Sequence, residues 1–334
     1  MADSAYHPQM IRVSIGSAIV LGLAEGKLDA LPTTVYLLTY QNGKCTANCG
    51  FCPQAKKSKS RADMLSRVIW PPFTTMRVVD RIERAVKQNK AKRVCIQALN
   101  YPTVFDDVLG VVSNIRSRCV APISISCQPI SIETLKKLAQ AGVERVGIPL
   151  DAATEEIFDK IKGKRAGGPY VWQRQLRALK DAVKVFGKNM VSTHLIVGLG
   201  ETEQDLVKII QLCVDMGVYP ALFAFTPVSG TALEHSLPPP LNMYRRVQLA
   251  RYLITLGKAR YENVRFDDDD QIVDFGVPKK TLYEIVESGI PFLTSGCPNC
   301  NRPYYNEKPG GSPFNFPQMP TSKEINAIEK VFKQ

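Results

Sequence analysis

The sequence predicts an α/β fold, a (β/α)8 TIM-type barrel with a C-terminal capping tail. Apolar, β-branched runs of strand length alternate with longer segments whose apolar residues recur at helical spacing. Eight such alternations imply parallel strands closed into a barrel, with the tail covering one mouth. An open doubly wound sheet would require a glycine-rich turn after the first strand, and this chain has a cysteine-rich turn there.

The predicted elements follow one another along most of the 334 residues. Residues 75–88 show the helical pattern, with Val78, Val79 and Ile82 on one face, and Thr202 is a typical N-cap before residues 202–216. The predicted strands are residues 34–40, 93–98, 123–127, 145–150, 191–199, 221–226, 263–267 and 291–294. The other predicted helices are residues 131–141, 171–185, 241–256, 280–288 and 322–332.

Three regions are predicted along the chain. Residues 1–30 form an N-terminal helical extension, residues 31–296 form the barrel, and residues 297–334 form a cysteine-containing tail and helix. The tail is rich in Pro, Gly and Asn, which is typical of an irregular segment laid over a barrel mouth.

Composition narrows the functional classes. With 43 Lys+Arg and 31 Asp+Glu the formal net charge is +12, which points to an acidic partner or an anionic ligand. No apolar run approaches the roughly 20 residues that span a bilayer, and the N-terminus lacks a basic signal region. We therefore expect a cytoplasmic protein without a membrane partner. Nine cysteines in that reducing compartment indicate metal binding or catalysis rather than disulfides.

The first cysteine group follows the first predicted strand. Cys45, Cys49 and Cys52 have the spacing C-x3-C-x2-C within eight residues. Three thiolates so close in sequence can hold one face of a cubane iron–sulfur cluster and leave one iron without a protein ligand. A structural zinc site usually takes four protein ligands, often from paired C-x2-C units, and fits this spacing less well.

This motif after the first barrel strand resembles that of the radical S-adenosylmethionine (SAM) superfamily, including the aromatic residue before the third cysteine, here Phe51. The resemblance implies a [4Fe-4S] cluster whose open iron binds SAM. One electron then splits SAM to give a 5′-deoxyadenosyl radical, which abstracts hydrogen from an unactivated carbon. The protein's part is to orient the cofactors and exclude water.

Several segments resemble biotin synthase within that superfamily. Cys52-Pro-Gln is similar to its cluster loop, and residues 194–202 are similar to its fifth strand, which contacts the adenine of SAM. The resemblance covers roughly residues 35–270. It implies SAM contacts from Asp151 to the ribose, from Arg174 (or Arg177) to the carboxylate, and from Val197, Gly198 and Leu199 to the adenine.

Biotin synthase also holds a second, sacrificial cluster inside its barrel. Residue by residue, its ligands correspond to Cys95, Cys127 and Arg265, but the strand-five cysteine is replaced by Ser192 or its neighbour Thr193. The tail supplies a C-x2-C that we expect at the same barrel mouth as the first group. We therefore assign an auxiliary [4Fe-4S] cluster to Cys127, Cys297 and Cys300, with Cys95 as a further candidate ligand and Arg265 and Ser295 in its surroundings. A zinc knuckle or a redox pair are the alternatives for the tail motif.

The tail pattern resembles the archaeal-type, two-component lipoyl synthases. That resemblance implies sulfur insertion into a protein-bound octanoyl chain, with three partners: an octanoylated acidic lipoyl-carrier protein or peptide, a second related radical SAM chain, and an electron donor such as ferredoxin. The alternatives are a biotin synthase acting on dethiobiotin and, from another class, a non-catalytic iron–sulfur or zinc protein that binds nucleic acid. Nucleic acid is not an expected partner, because no segment remains for an RNA-binding domain.

Two basic runs are candidates for docking the acidic carrier. Residues 56–61 follow the cysteine loop, and residues 160–165 precede the predicted helix at residues 171–185. Both also fit a solvated surface without a partner, and the docking interpretation predicts salt-sensitive association.

Overall fold

The computed structural model describes residues 8–307 and 311–332, and one eight-stranded sheet forms its centre. Six of these strands are parallel, and β1 pairs antiparallel with both β2 and β5 at one edge. The predicted α/β class is confirmed. The strands are β1 Met10–Val13, β2 Thr34–Thr39, β3 Met64–Leu65, β4 Val68–Ile69, β5 Pro72–Thr74, β6 Arg93–Gln97, β7 Ile123–Ser126, β8 Arg145–Gly147, β9 Val191–Val197, β10 Val218–Ala224, β11 Arg265–Phe266 and β12 Ile272–Asp274, and the sheet order is β10-β9-β8-β7-β6-β2-β1-β5.

Helices cover the outer face of the parallel strands. Their apolar stripes pack on the sheet, as Val78, Val79 and Ile82 do from α2, and α7 begins with a capping box between Thr202 and Asp205. The helices are α1 Ile15–Val20, α2 Thr75–Lys87, α3 Val104–Arg116, α4 Ile132–Gln140, α5 Glu155–Ile161, α6 Trp172–Phe186, α7 Glu203–Asp215, α8 Leu241–Thr255, α9 Lys279–Glu287 and α10 Ser322–Phe332.

Strand β9 shows how the sheet separates its two faces. Its burial alternates along the strand, so that Thr193, Leu195 and Val197 are buried against the helices. Ser192 and His194 point the other way and line a central cavity. The parallel strands therefore carry an apolar outer face and a more polar inner face.

The seventh and eighth predicted strands lie outside the central sheet, which corrects that part of the prediction. Strand β11 forms a separate hairpin with β12 around the turn at residues 267–271. Ile290–Phe292 is a short 3-10 helix, entered through Gly289 at φ +69° and containing Pro291, which lacks the N–H that a strand would donate. The extra two strands of the sheet come instead from β1 and β5, so the predicted N-terminal helical extension contains a strand.

The C-terminal tail fills the space between the first and the last parallel strand. At β2, Thr33 N–H donates to Asn301 Oδ1 over 3.0 Å, and at β10, Leu222 N–H donates to Ser295 Oγ over 2.8 Å. Thr33 lies at the N-terminal end of β2, so the tail closes the bottom of the barrel. Within the described ranges, no helix is long and apolar enough to cross a membrane.

Candidate active site

A large cavity runs through the middle of the parallel strands. Its volume, including the mouth that opens to solvent, is about 1610 Å³. Seven of the nine cysteines line it, and Cys119 and Cys213 do not. Such a concentration of free thiols around one internal space points to metal or redox chemistry inside the barrel.

Three of these thiols lie together on the loop after β2. Cys45, Cys49 and Cys52 line the C-terminal mouth of the cavity, and Cys52 N–H donates to the Cys49 carbonyl over 3.0 Å. The backbone N–H of Asn100, just beyond β6, donates to Cys45 Sγ over 3.2 Å. Amide donors to cysteine sulfur are a usual way of stabilising a thiolate that binds iron. The loop thus brings the three thiols together so that they face the cavity, and we call Cys45, Cys49 and Cys52 the mouth triad.

Burial raises the pKa of two of these thiols, Cys49 and Cys52, so they are reluctant to ionise without a cation. Desolvation raises the pKa of Cys52 to about 12 and raises that of Cys49 further, and the neighbouring cysteines add to both effects. No three His, Cys, Asp or Glu side chains of the described residues lie close enough to hold one metal ion. A cubane cluster spaces its cysteine sulfurs more widely than a single ion does, and the C-x3-C-x2-C spacing is the one expected for such a cluster.

A buried ion pair lies next to the triad. Lys162 is fully buried, and its Nζ donates to Asp151 Oδ2 over 2.7 Å and to the Pro149 carbonyl over 2.9 Å. Asp151 adopts φ +67°, a left-handed conformation that is uncommon outside glycine. Beside the pair, Gln175 Oε1 and the Tyr170 hydroxyl are buried and have no hydrogen-bond partner. Unsatisfied polar atoms beside a cavity mark a place where a polar ligand binds.

We predict that Lys162→Met lowers the free energy of unfolding by about 3–5 kcal/mol, because it leaves the Asp151 carboxylate buried without its cation. Urea unfolding of the purified protein measures this. The matched control is Lys164→Met, two residues away but exposed, which we expect to change stability by less than about 0.5 kcal/mol. Equal effects of the two substitutions would show that the buried pair adds nothing.

A second group of thiols lies at the bottom of the cavity. Tyr36, Cys95 and Ser124 are lateral neighbours on β2, β6 and β7. The tail places Cys300 Sγ 3.3 Å from the Tyr36 hydroxyl, and Ser124 Oγ donates to Cys297 Sγ over 3.4 Å. Cys95 lies between these two contacts, and burial together with Cys297 and Cys300 raises the pKa of its thiol. We call this group the floor thiols, and its members are Cys95, Cys297 and Cys300.

Arg302 supplies a cation to the floor thiols. Its guanidinium stacks on Phe223 at 3.8 Å from the ring centre and donates to the Ser295 carbonyl over 2.6 Å. Its Nε is buried and has no partner. Burial raises the pKa of Cys300, and the Arg302 charge opposes that rise. A guanidinium with a free donor beside three thiols matches a site for anionic sulfur.

The two thiol groups are at opposite ends of one cavity, which corrects the expectation that they share a mouth. Arg93, at the start of β6, donates to the Pro298 carbonyl over 3.3 Å, so the Cys297–Cys300 turn lies under the N-terminal ends of the strands. Cys95 precedes Asn100, the partner of Cys45, by five residues. That is at most about 17 Å of extended chain, so one bound substrate can reach both ends.

Comparisons with known proteins identify this arrangement. The radical SAM superfamily model matches residues 42–213, just over half of the chain. The chain belongs to the radical SAM superfamily. It is 26% identical to biotin synthase of Chlamydia pneumoniae over 246 residues, 68% of each chain, and 25% identical to that of Synechococcus elongatus over 274 residues, covering 79% of this chain and 80% of the relative. The crystal structure of methylornithine synthase covers 72% of this chain and 67% of its own at TM-score 0.52 and 15% identity, a likeness of fold.

Membership implies a radical SAM enzyme with a [4Fe-4S] cluster and SAM as cofactors. The mouth triad fits the cluster, because one short loop offers three thiols to the cavity. Phe51 lines the cavity next to the triad, and Asp151 does so from the end of β8. The polar atoms around Lys162 and Gln175 fit a ligand that carries amino, carboxylate and hydroxyl groups.

Four of the residues predicted to contact SAM do not line this cavity. Arg174 and its alternative Arg177 are exposed on the outer side of α6, and the cation beside the triad is Lys162. The side chain of Val197 is buried against the helices, and Ile196 lines the cavity in its place. Gly198 and Leu199 do not line the cavity, because their N–H groups turn toward Glu201.

Two of the predicted auxiliary residues are not grouped with the floor thiols. Cys127 lines the cavity, but it follows Ser124 by three residues, which is about 10 Å along a strand. Burial alone raises the pKa of its thiol to about 12, without a contribution from Cys297 or Cys300. Arg265 is exposed in the β11–β12 hairpin and pairs with Asp274 at 2.5 Å. Arg302 is the arginine at the floor.

Sequence reasoning missed several cavity residues. Lys162 stands in a basic run that favoured a solvated surface, yet it is buried. Arg302 follows the tail motif by two residues, and this proximity to Cys300 was an available signal. Tyr305 packs on Phe223 with ring centres 5.9 Å apart. Burial raises the pKa of the Tyr305 hydroxyl, and Cys52 and Cys95, at the two ends of the cavity, add to that rise. His194 lines the cavity, and burial lowers its pKa to about 4, so it is neutral at physiological pH.

Proposed function

We propose that the protein is a sulfur-inserting radical SAM enzyme, a component of a lipoyl synthase that converts a protein-bound octanoyl chain toward lipoyl. An auxiliary [4Fe-4S] cluster held by the floor thiols is the sulfur donor. The observation that carries this proposal is the position of the floor thiols. They lie with Arg302 at the closed end of the cavity whose mouth carries the radical SAM triad.

The mouth triad would hold the SAM cluster. When bound, the cluster and SAM supply a 5′-deoxyadenosyl radical that abstracts hydrogen from carbon. Lys162 and Asp151 hold the wall beside the triad in place, and Tyr170 and Gln175 offer unpaired polar atoms to the cofactor. The enclosing strands keep water from the reacting carbon.

The floor thiols would hold the auxiliary cluster. When bound, it supplies sulfide to a carbon radical. Cys95, Cys297 and Cys300 offer three sulfur ligands, and Arg302 places positive charge beside them. The Tyr36 hydroxyl contacts Cys300, and Ser295 Oγ is occupied as the acceptor of Leu222 N–H, which leaves Ser295 a role in fixing the tail. The tail shields this end from solvent, as a cluster that donates sulfur requires.

The walls between the two ends suit an apolar chain. Leu38, Leu99 and Ile125 line the cavity together with the rings of Phe223 and Tyr305. A linear octanoyl chain that enters from the mouth would pass these side chains on its way to the floor. The acyl carbons would then lie between the radical source and the sulfur source.

Biotin synthase activity is the second candidate, and the relatives favour it. Both reactions insert sulfur at unactivated carbon. Two features of this chain favour the lipoyl reaction. Ser192 stands on β9 facing the cavity, where the resemblance calls for a cluster cysteine, and the tail contributes Cys297 and Cys300 in its place. The proposed partners are an octanoylated acidic carrier, a second related radical SAM chain and an electron donor such as ferredoxin.

Substrate choice is tested by anaerobic incubation of the reconstituted enzyme with SAM and reductant. One reaction contains an octanoyl-lysine peptide and the other contains dethiobiotin, each with and without the related second chain, and mass spectrometry follows the products. We expect 5′-deoxyadenosine and a sulfur-bearing octanoyl peptide. Conversion of dethiobiotin with an untouched octanoyl peptide would replace the lipoyl assignment with biotin synthesis.

A further inference from the structure

A basic surface covers the outer side of the loop that carries the mouth triad. All of its cations are exposed, and they come from the two basic runs that flank the cysteine loop and α5. We call it the cluster-loop surface, and its members are Lys56, Lys57, Lys59, Arg61, Lys164 and Arg165.

Hydrogen bonds fix this surface directly onto the triad loop. Lys56 N–H donates to the Ala47 carbonyl over 2.8 Å, and Lys57 N–H donates to Asn48 Oδ1 over 3.1 Å. Ala47 and Asn48 lie between Cys45 and Cys49 in the chain. The side-chain amide of Asn48 also donates to the Ala166 carbonyl over 2.6 Å, which joins the second basic run to the first. The cations are therefore on the outer side of the peptide whose inner side carries the thiols.

Half of these cations form no side-chain ion pair within the described residues. Arg61 pairs with Asp63 at 2.6 Å, and Arg165 lies 3.7 Å from Glu156. Lys59 is close enough to Glu234 to contribute to the lowered pKa of that carboxyl, mainly caused by a backbone hydrogen bond from Gly230. Among the described residues, none of the ion pairs involves Lys56, Lys57 or Lys164. Unpaired cations on one face create a positive potential that attracts an acidic protein.

We propose that the cluster-loop surface docks an acidic electron-donor protein of the ferredoxin type. Radical SAM chemistry consumes one electron per SAM cleaved, so a donor must approach the triad. The donor loses one electron, the cluster gains one, and this transfer itself makes and breaks no bond. Electron transfer requires only proximity through the loop, and the backbone contacts of Lys56 and Lys57 join this surface to the residues between Cys45 and Cys49. An acylated carrier instead requires the open mouth of the cavity.

The test compares two charge-reversal pairs that change the net charge equally. Lys56→Glu/Lys57→Glu alters the cluster-loop surface. Lys90→Glu/Lys92→Glu alters two exposed lysines near the N-terminal end of β6, at the other end of the barrel. The probe is a purified acidic two-cluster ferredoxin. Calorimetry gives its Kd for the reconstituted enzyme at low and high salt, and stopped-flow spectroscopy gives the rate at which reduced ferredoxin is oxidised. Dithionite is the small reductant for comparison.

We expect the first pair to raise the ferredoxin Kd at low salt by about tenfold or more, and salt to shrink the difference. With dithionite, the first pair should turn over at the rate of the unmodified enzyme. The control pair should match the unmodified enzyme in ferredoxin affinity and in rate. Unchanged ferredoxin affinity and rate in the first pair would overturn the proposal. It would also be overturned if only the affinity for an octanoylated carrier fell, because that would assign the surface to the carrier. Loss of turnover with dithionite in both pairs would indicate misfolding. In that case Lys56→Gln/Lys57→Gln is the deciding variant: we expect it to weaken ferredoxin binding by a smaller factor, and unchanged binding would overturn the proposal.

Discussion

Cys49→Ala is expected to abolish SAM cleavage. Cys49 is the most buried member of the mouth triad, 9% exposed, and its removal leaves two thiols for the cluster that we expect this loop to hold with three. Cys45→Ala and Cys52→Ala are expected to act in the same way. The measurement is 5′-deoxyadenosine formed from SAM and reductant under anaerobic conditions. Iron content of the reconstituted protein should fall by about four per chain.

The matched control for these variants is Cys213→Ala. Cys213 is also buried, but it lies on α7, outside the cavity, and should cost stability without changing the iron content. A Cys49→Ala enzyme that cleaves SAM at the rate of the unmodified enzyme would contradict the assignment of the triad. Loss of activity in the Cys213→Ala enzyme alone would contradict it as well.

Cys300→Ala and Cys95→Ala are expected to separate SAM cleavage from sulfur insertion. Both remove a floor thiol and leave the triad intact, so 5′-deoxyadenosine should still form while the sulfur-bearing octanoyl product disappears. Iron should again fall by about four per chain, from about eight. Mass spectrometry of the peptide and iron analysis of the protein report the two effects independently.

Cys127→Ala provides the contrast within the same cavity. The sequence placed Cys127 in the auxiliary group, whereas in the structure it follows the C-terminal end of β7, three residues beyond the Ser124 that contacts Cys297. The geometry predicts that Cys127→Ala retains the auxiliary iron. If it loses that iron while Cys95→Ala keeps it, the ligand set from the sequence is right and the floor thiols are wrongly grouped.

The fold was predictable where pattern and topology agree. The six parallel strands carry continuous or alternating apolar runs, and all six were predicted within a few residues of their observed bounds. The seventh and eighth strands failed for a local reason. Residues 263–267 contain an apolar pair, but they end in the turn that leads from β11 back to β12. Pro291 prevents residues 290–292 from pairing as a strand. Strand β1 was missed because only four residues form it.

The mouth triad was predictable because its three cysteines are neighbours in sequence. The floor thiols were harder, because they join β6 to a tail some two hundred residues later. The expected position at the C-terminal mouth followed from treating residues 291–294 as a strand. Once that segment is a 3-10 helix, the tail turns under the strands and carries Cys297 and Cys300 to the opposite end. Lys162 and Arg302 were missed because their importance comes from being buried beside the cavity thiols, and a single sequence does not show which cations are buried.

The most direct test of the account follows the sulfur itself. The enzyme is reconstituted with iron and heavy-isotope sulfide, freed of excess sulfide, and given SAM, reductant and an octanoyl-lysine peptide together with the related second chain. Sulfur donation from the auxiliary cluster predicts a peptide product that carries the heavy sulfur isotope, and predicts none from the Cys300→Ala enzyme. Formation of 5′-deoxyadenosine without any heavy-sulfur peptide, with the second chain present, would contradict it.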